Sequence, residues 1–233
     1  APLPTVIDTV VKALVDAAPE HVAAAHHGNF CIHTLTGYDP RTGERFHNLS
    51  AADGGWGASH GHDGPAHYKT MAHGDTLAIP VEVQEVLFPL RVERWQVRQD
   101  SAGAGEWRGG TGLDKVVTPL VPCHVHVFNE RTGCPPWGIL GGHDGAAPRI
   151  AIERPGQAPE EARKANVPVG PGDRVHVLTS GGGGYGDPLM RDTDRVATDV
   201  RLGYISREAA WRDYGVALDP DGGVLDRETK TER

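Results

Sequence analysis

No run in this 233-residue sequence approaches the ~20 apolar residues of a membrane-spanning helix, and Pro2 and Pro4 stand where a signal peptide would build its apolar region. Lysine and arginine number 23 against 31 aspartates and glutamates, so the net charge of −8 offers neither a basic stripe for nucleic acid nor a polybasic patch for a membrane surface. Cysteine is scarce. Cys31, Cys123 and Cys134 form an odd, widely spaced set with no C-x-x-C pair, which argues against a disulfide framework or zinc knuckle and fits a reducing, cytoplasmic compartment. Aromatic residues are only 6%, and no internal repeat of fixed period is present. Small molecules and other proteins remain as partners.

What is abundant is glycine, at 31 residues, with 18 prolines, a balance that favours many short strands and turns over a helical bundle. The length suits one large domain or two small ones with a substantial core. We expect an α+β chain: mixed or antiparallel sheets, an N-terminal helix (1–20), a β-rich body (21–190), a helical hairpin (191–218) and a frayed tail (219–233). In the first segment Val6, Val10, Ala13, Leu14 and Ala17 form a helical apolar stripe, with Thr5 as cap and Pro19 as stop. "NFCIHTLTGYDPRTGERFHNLSA" reads as strand, turn, strand, and "CHVHVFNE" and "DRVHVLTS" as further strands with alternate residues inward.

The alternation of Leu77, Ile79, Val81 and Val83 predicts an edge strand limited by Pro80, and a parity slip after Val92 predicts a bulge near Glu93 or Arg94. "ERPGQAPEEARKANVPVG" reads as a surface excursion. Thr193 is expected to cap one helix and Ser206 a second that Gly215 ends, with Val196, Val200, Ala209, Ala210 and Trp211 packing inward.

The chemistry concentrates in residues 53–76, too long and aperiodic for an ordinary connection. Asp53, His60, His62, Asp63, His67, His73 and Asp75 crowd it. Imidazoles and a carboxylate can hold zinc or manganese, but the spacing fits no H-E-x-x-H template, and solvated loop histidines are the plainer reading. Glu82, in an apolar run beside the loop, is a candidate base because an unpaired charge there is costly; Glu85 reads as a surface or ion-pair residue. Cys31 reads as a buried apolar thiol. The run "LTSGGGGYGDP" (178–188) has four glycines but no lysine and no helix starting at once, so it is not a P-loop; a sharp connection with several positive φ angles is expected instead.

Several stretches together resemble the hydantoinase B family, also fused or paired in 5-oxoprolinases and in acetone and acetophenone carboxylases. They are "GGWGASHGHDG" (54–64), "GDTLAIPVEVQEVLFPLRVERWQVRQDSAGAGEWRGGTGL" (74–113), "PPWGILGG" (135–142) and "TSGGGGYGDPLMRDTDRVATDVRLGYISREAAWRDYGVAL" (179–218). They run in the family's order. The resemblance implies the C-terminal half of a B-type subunit, working in a hetero-oligomer with the N-terminal half, which carries a divalent metal such as zinc or manganese, and with an A-type subunit that holds ATP and magnesium.

It also implies that ATP phosphorylates a carbonyl or enol oxygen, so that a cyclic amide or imide opens to water; the alternative is ATP-dependent ketone carboxylation. "HYKTMAHGDTLAIPVE" (67–82) departs from the hydantoinase-type polar run at His73, Gly74 and Asp75, a change compatible with the carboxylase branch. On this basis His73, Asp75 and Glu82 are assigned to catalysis and Trp56, His60, His62 and His67 to the small-molecule substrate, with no metal ligand in this chain. A purely scaffolding subunit and a self-contained metal hydrolase remain open.

Overall fold

A computed structural model describes residues 3–73 and 76–227. Among these no helix is long and apolar enough to cross a membrane. Helix α1 (Leu3–Ala13) precedes the hairpin β1 (Ile32–Asp39) and β2 (Glu44–Asn48). Helix α2 (Val81–Leu87) follows, then β3 (Leu90–Arg98), β4 (Gly112–Pro119), β5 (Cys123–Phe128), β6 (Arg149–Glu153), β7 (Glu160–Glu161), β8 (Lys164–Val169) and β9 (Arg174–Leu178). Helices α3 (Thr193–Arg201) and α4 (Arg207–Tyr214) and a small hairpin, β10 (Val216–Leu218) and β11 (Val224–Arg227), complete the order.

Two antiparallel sheets, ordered β2-β1-β5-β8 and β3-β4-β9-β6-β7, share one core. Leu35, Val125 and Val167 come from the first sheet, and Leu113, Val117, Ile150 and Val175 from the second. Strand alternation places them: in β5, Cys123, Val125 and Val127 are buried while His124 and Phe128 are exposed. The β3 register slips between Val92 and Arg94, where the parity change predicted a bulge. The α+β expectation holds, with the sheets antiparallel.

The helical hairpin forms a second core from Val196, Ile205, Ala209, Ala210, Tyr214 and Val216, with Val200 packed beside it. Ser206 accepts from the Ala209 N–H, and Gly215 (φ 65°) ends α4. Asp192 rather than Thr193 caps α3, accepting from the Asp194 and Arg195 N–H groups; a carboxylate one residue earlier reaches both donors. Trp211 is exposed instead of packing inward.

Other expectations are overturned. Residues 77–80 are not a strand, and Val81–Leu87 is a helix: Pro80, with φ −54°, sits at its start, where a missing N–H costs nothing, and Glu82 lies in its first turn, where negative charge is favoured. The stretch 153–170 is no surface excursion, because it supplies the paired strands β7 and β8. Part of the tail, Val224–Arg227, pairs with β10.

Helix α1 begins before Thr5, ends well before Pro19 and buries a different face from the one expected. Pro4 and Asp8 are buried, Val11 and Val15 pack against the glycine-rich core, and Leu3, Val6, Val10 and Leu14 face solvent. Asp8 selects that face. Its carboxylate pairs with His26 Nδ1 and Arg131 at 2.5 Å each, and a carboxylate held by two buried partners outweighs an apolar stripe.

The glycine run lies inside the molecule. Gly182 N–H donates to Gly110 O, Gly183 to Ala25 O and Gly184 to His143 O, while their carbonyls accept from Gly103, Ala58 and Ile139. Three successive residues bond to three different segments, so neighbouring backbone stands in for the water that would otherwise satisfy an irregular chain. Positive φ is absent from Gly181–Gly184 and occurs only at Gly186 (φ 74°). The glycines are needed for close approach, not for left-handed turns.

Candidate functional site

Loop 53–73 wraps this glycine core and is fixed at both ends. Gly54 and Tyr68 exchange backbone hydrogen bonds, and Trp56 N–H donates to Pro65 O. The indole of Trp56 donates to Lys69 O at 2.8 Å. A cavity of about 660 Å³ opens here, lined by Asp53, Trp56, His67, Lys69, Thr70 and Leu77 among others. A second, of about 280 Å³, shares Lys69, Thr76, Leu77 and Ala78 and adds Ser50, His73, Gln84 and Trp95.

Trp56 and His67 therefore line the larger cavity, where His67 (φ 58°) sets Nε2 3.1 Å from Gly112 O. His73 lines the smaller one, its ring edge-on to Phe30 at 4.3 Å. Burial, reinforced by the Lys69 charge, pushes the His73 imidazole below its ordinary value despite Asp53, so the neutral ring is favoured. His60 and His62 line neither cavity; they sit exposed at a tight turn closed by reciprocal Ser59 and His62 backbone bonds. Glu82 is exposed on α2, not inside an apolar strand, and lines neither cavity; Glu85 instead accepts from Val92 N–H at 2.8 Å. Asp75 lies outside the described residues.

Asp63 is a tether. It accepts from Arg108 N–H at 2.7 Å, from Arg191 through both oxygens at 2.7 and 2.9 Å, and from Arg195 at 2.8 Å. Burial pushes its carboxyl up, but the Arg191 hydrogen bonds and charge outweigh that and hold it below the ordinary carboxylate range. Arg191 also binds Asp199 at 2.8 Å, which in turn holds Arg108 at 3.1 Å, so the loop is locked to α3. Arg191→Met leaves two carboxylates without their principal partner and is expected to cost about 3–5 kcal/mol. A denaturant midpoint equal to wild type would show that the tether carries no stability.

Asp63 is thus fully engaged and does not fit a metal shared with the loop histidines; among the described residues no cluster of three or more His, Cys, Asp or Glu side chains suits an ion. The glycine run does not fit nucleotide phosphates either, since the Gly182, Gly183 and Gly184 N–H groups already have carbonyl partners. Cys31 is buried, and burial pushes its thiol up to about 12, so it is not a nucleophile.

Sequence reasoning left Lys69, Lys115 and His33 unassigned. Lys69 Nζ lies 2.6 Å from Asp53 Oδ1 and donates to Ala51 O at 2.9 Å. Lys115, only 2% exposed, donates to Ser50 Oγ at 3.0 Å, meets His33 Nε2 at 3.3 Å and lies 4.7 Å from the Trp95 ring centre. His33 Nδ1 is 2.8 Å from Cys31 O, which fixes the proton on Nδ1 and leaves Nε2 to accept. A signal was available: Lys115 shares the inward parity of Leu113 and Val117, and a lysine on the core face of a strand is rare without a task. The arrangement couples an aromatic wall to a paired ammonium and imidazole rings, groups chemically able to hold and orient a small polar molecule.

Residues 2–188 match the family described as Hydantoinase B/oxoprolinase, and the chain belongs to that family. It is 33% identical over 242 positions to the beta chain of caprolactamase from Pseudomonas jessenii, covering 100% of this chain and 42% of that one. It is 30% identical over 232 positions to the B component of a putative D-/L-hydantoinase from a Pseudomonas species, covering 97% of this chain and 38% of the relative. The crystal structure of the ATP-dependent caprolactamase from Pseudomonas jessenii superposes with a TM-score of 0.82 at 29% identity, over 91% of this chain and 38% of that one. The resemblance read from the motifs is borne out. The chain spans about two-fifths of the length of these two curated relatives.

Proposed function

We propose that this chain is the C-terminal half of a B-type subunit and forms a wall of the substrate chamber in an ATP-dependent hydantoinase/oxoprolinase-type complex that hydrolyses a cyclic amide or imide through a phosphorylated carbonyl. The observation that carries the reading is the cavity of about 660 Å³ built by the family's loop around Trp56, His67, Lys69 and Asp53. ATP and magnesium belong to an A-type partner and the divalent metal to the N-terminal half. The exposed stripe of Leu3, Val6 and Val10 on α1, continued by Leu14 just beyond it, supports such a neighbour, because a helix pinned by Asp8 on one face offers an apolar face of its own to another polypeptide. His73 and Asp75, within the departure from the hydantoinase-type run, favour ketone carboxylation as the second reading. Free thiols at Cys31, Cys123 and Cys134 suit a reducing cytoplasm.

Native mass spectrometry of the purified protein is expected to find the second half-chain and an ATP-binding subunit travelling with it. In that complex Trp56→Ala and His67→Ala should each lower ATP-dependent turnover at least tenfold with unchanged assembly. Wild-type rates in both variants would remove the chamber from this loop, and turnover by the chain alone without ATP would replace the reading with a self-contained hydrolase.

A further inference from the structure

Charge is unbalanced around the smaller cavity. Lys69 and Lys115 hold neighbouring residues, Ala51 through its carbonyl and Ser50 through its hydroxyl, yet among the described residues only Asp53 pairs with either ammonium. Lys115 has uncharged partners: His33 Nε2, Ser50 Oγ and the Trp95 ring. A buried ammonium without a carboxylate is costly, and an arriving anion would relieve that cost. The space for it adjoins both lysines, because Lys69 itself and two groups that hold Lys115, Ser50 and Trp95, line the cavity of about 280 Å³.

We propose that this cavity is an oxyanion subsite that takes a small carboxylate, bicarbonate or phosphoryl group, with Lys69 as its direct contact and Lys115 as the countercharge behind Ser50. The proposal rests on the reading of this loop as a chamber wall and names the part of the reactant that the wall holds. His73, also on the cavity wall, supplies a ring nitrogen, Nδ1, with no hydrogen-bond partner among the described residues, for a further contact. The field agrees with the geometry. Desolvation, with a contribution from Lys69 that Asp53 opposes, pushes the Lys115 amine down to about 8. A bound anion favours the charged amine and draws that value back up.

The test is calorimetric titration of inorganic phosphate, bicarbonate and acetate, each separately, into the purified protein with whatever subunits accompany it. At least one anion is expected to bind with a component weakened tenfold or more in Lys69→Met and in Lys115→Met and unchanged in Lys164→Met, a surface control on β8. The preferred anion identifies the group held: phosphate a phosphoryl, bicarbonate a carboxylating reactant, acetate a substrate carboxylate. Binding of none of the three, or equal affinity in Lys69→Met, overturns the proposal, and Lys69→Met decides alone if Lys115→Met does not fold. Turnover measured on the same preparations separates the two readings: ATP-dependent turnover without Lys69-dependent binding sinks the subsite only, whereas Lys69-dependent binding without turnover leaves the subsite and removes the enzyme.

Discussion

Gly182→Ala is expected to yield no folded protein. A Cβ at this position would fall on the Trp56 carbonyl oxygen, far inside contact distance, with the Trp56 carbonyl carbon and the Gly57 nitrogen immediately behind it. All three are backbone atoms. A flexible side chain can swing aside, but Trp56 O accepts the Gly110 N–H and Trp56 N–H donates to Pro65 O, so the obstacle moves only if those bonds break. The expected loss exceeds the ~1–3 kcal/mol of ordinary overpacking and reaches the order of the whole stability of a domain. Gly133→Ala is the control. Nothing lies within 4 Å of its Cβ position, and its stability should stay within about 0.5 kcal/mol of wild type. Circular dichroism and soluble yield of the two variants side by side check the claim; a folded Gly182→Ala protein with a wild-type melting point would refute the close-approach account of the run.

Acidification is expected to unfold the protein well above the pH at which its carboxylates titrate. His27 and His33 are fully buried, and both imidazoles are pushed down to about 3, in each case first by desolvation and then by the electrostatic influence of a neighbour, His26 for one and Lys115 for the other. In the unfolded chain both titrate near 6.5. Below that value the unfolded state binds protons that the folded state refuses, so stability falls as pH drops and continues to fall until about 3. Each histidine contributes about 1.4 kcal/mol per pH unit in that window, so the pair removes on the order of 5 kcal/mol between about pH 6 and pH 4. Asp63, held below its ordinary range, adds its own loss only below about 4. Denaturant midpoints measured across this range should decline from about 6.5 downward. A flat profile to pH 4 would mean that the two rings take up protons in the folded state.

Much of the fold was legible because its signals are local. Alternation in "CHVHVFNE" reports one buried and one exposed face, the bulge after Val92 shows as a change of parity, and Ser206 and Gly215 bound α4 through their own side chain and backbone. Readings failed where a local pattern had two solutions. Four alternating apolar residues near Pro80 are equally the start of a short helix, and α1 carries two faces from which only the buried pairing of Asp8 with His26 and Arg131 chooses.

The candidate site divides in the same way. Trp56, His67 and His73 could be taken from one crowded loop, and the structure sets all three on cavity walls. Asp63 could be weighed in the sequence only as one carboxylate of a crowded loop, whereas in the fold Arg191, 128 residues away in the chain, occupies both its oxygens. Lys115 and His33 come from different sheets and meet only when the sandwich closes.

By itself the sequence determined the family, the β-rich build and the stretch that lines the candidate site, since motifs, glycine content and strand parity are properties of neighbours along the chain. Tertiary structure alone decided which charged groups are already spent on one another and which still face a cavity. Ion pairing and desolvation depend on distances through space between residues far apart in sequence, and those distances exist only once the sheets and the glycine core have packed.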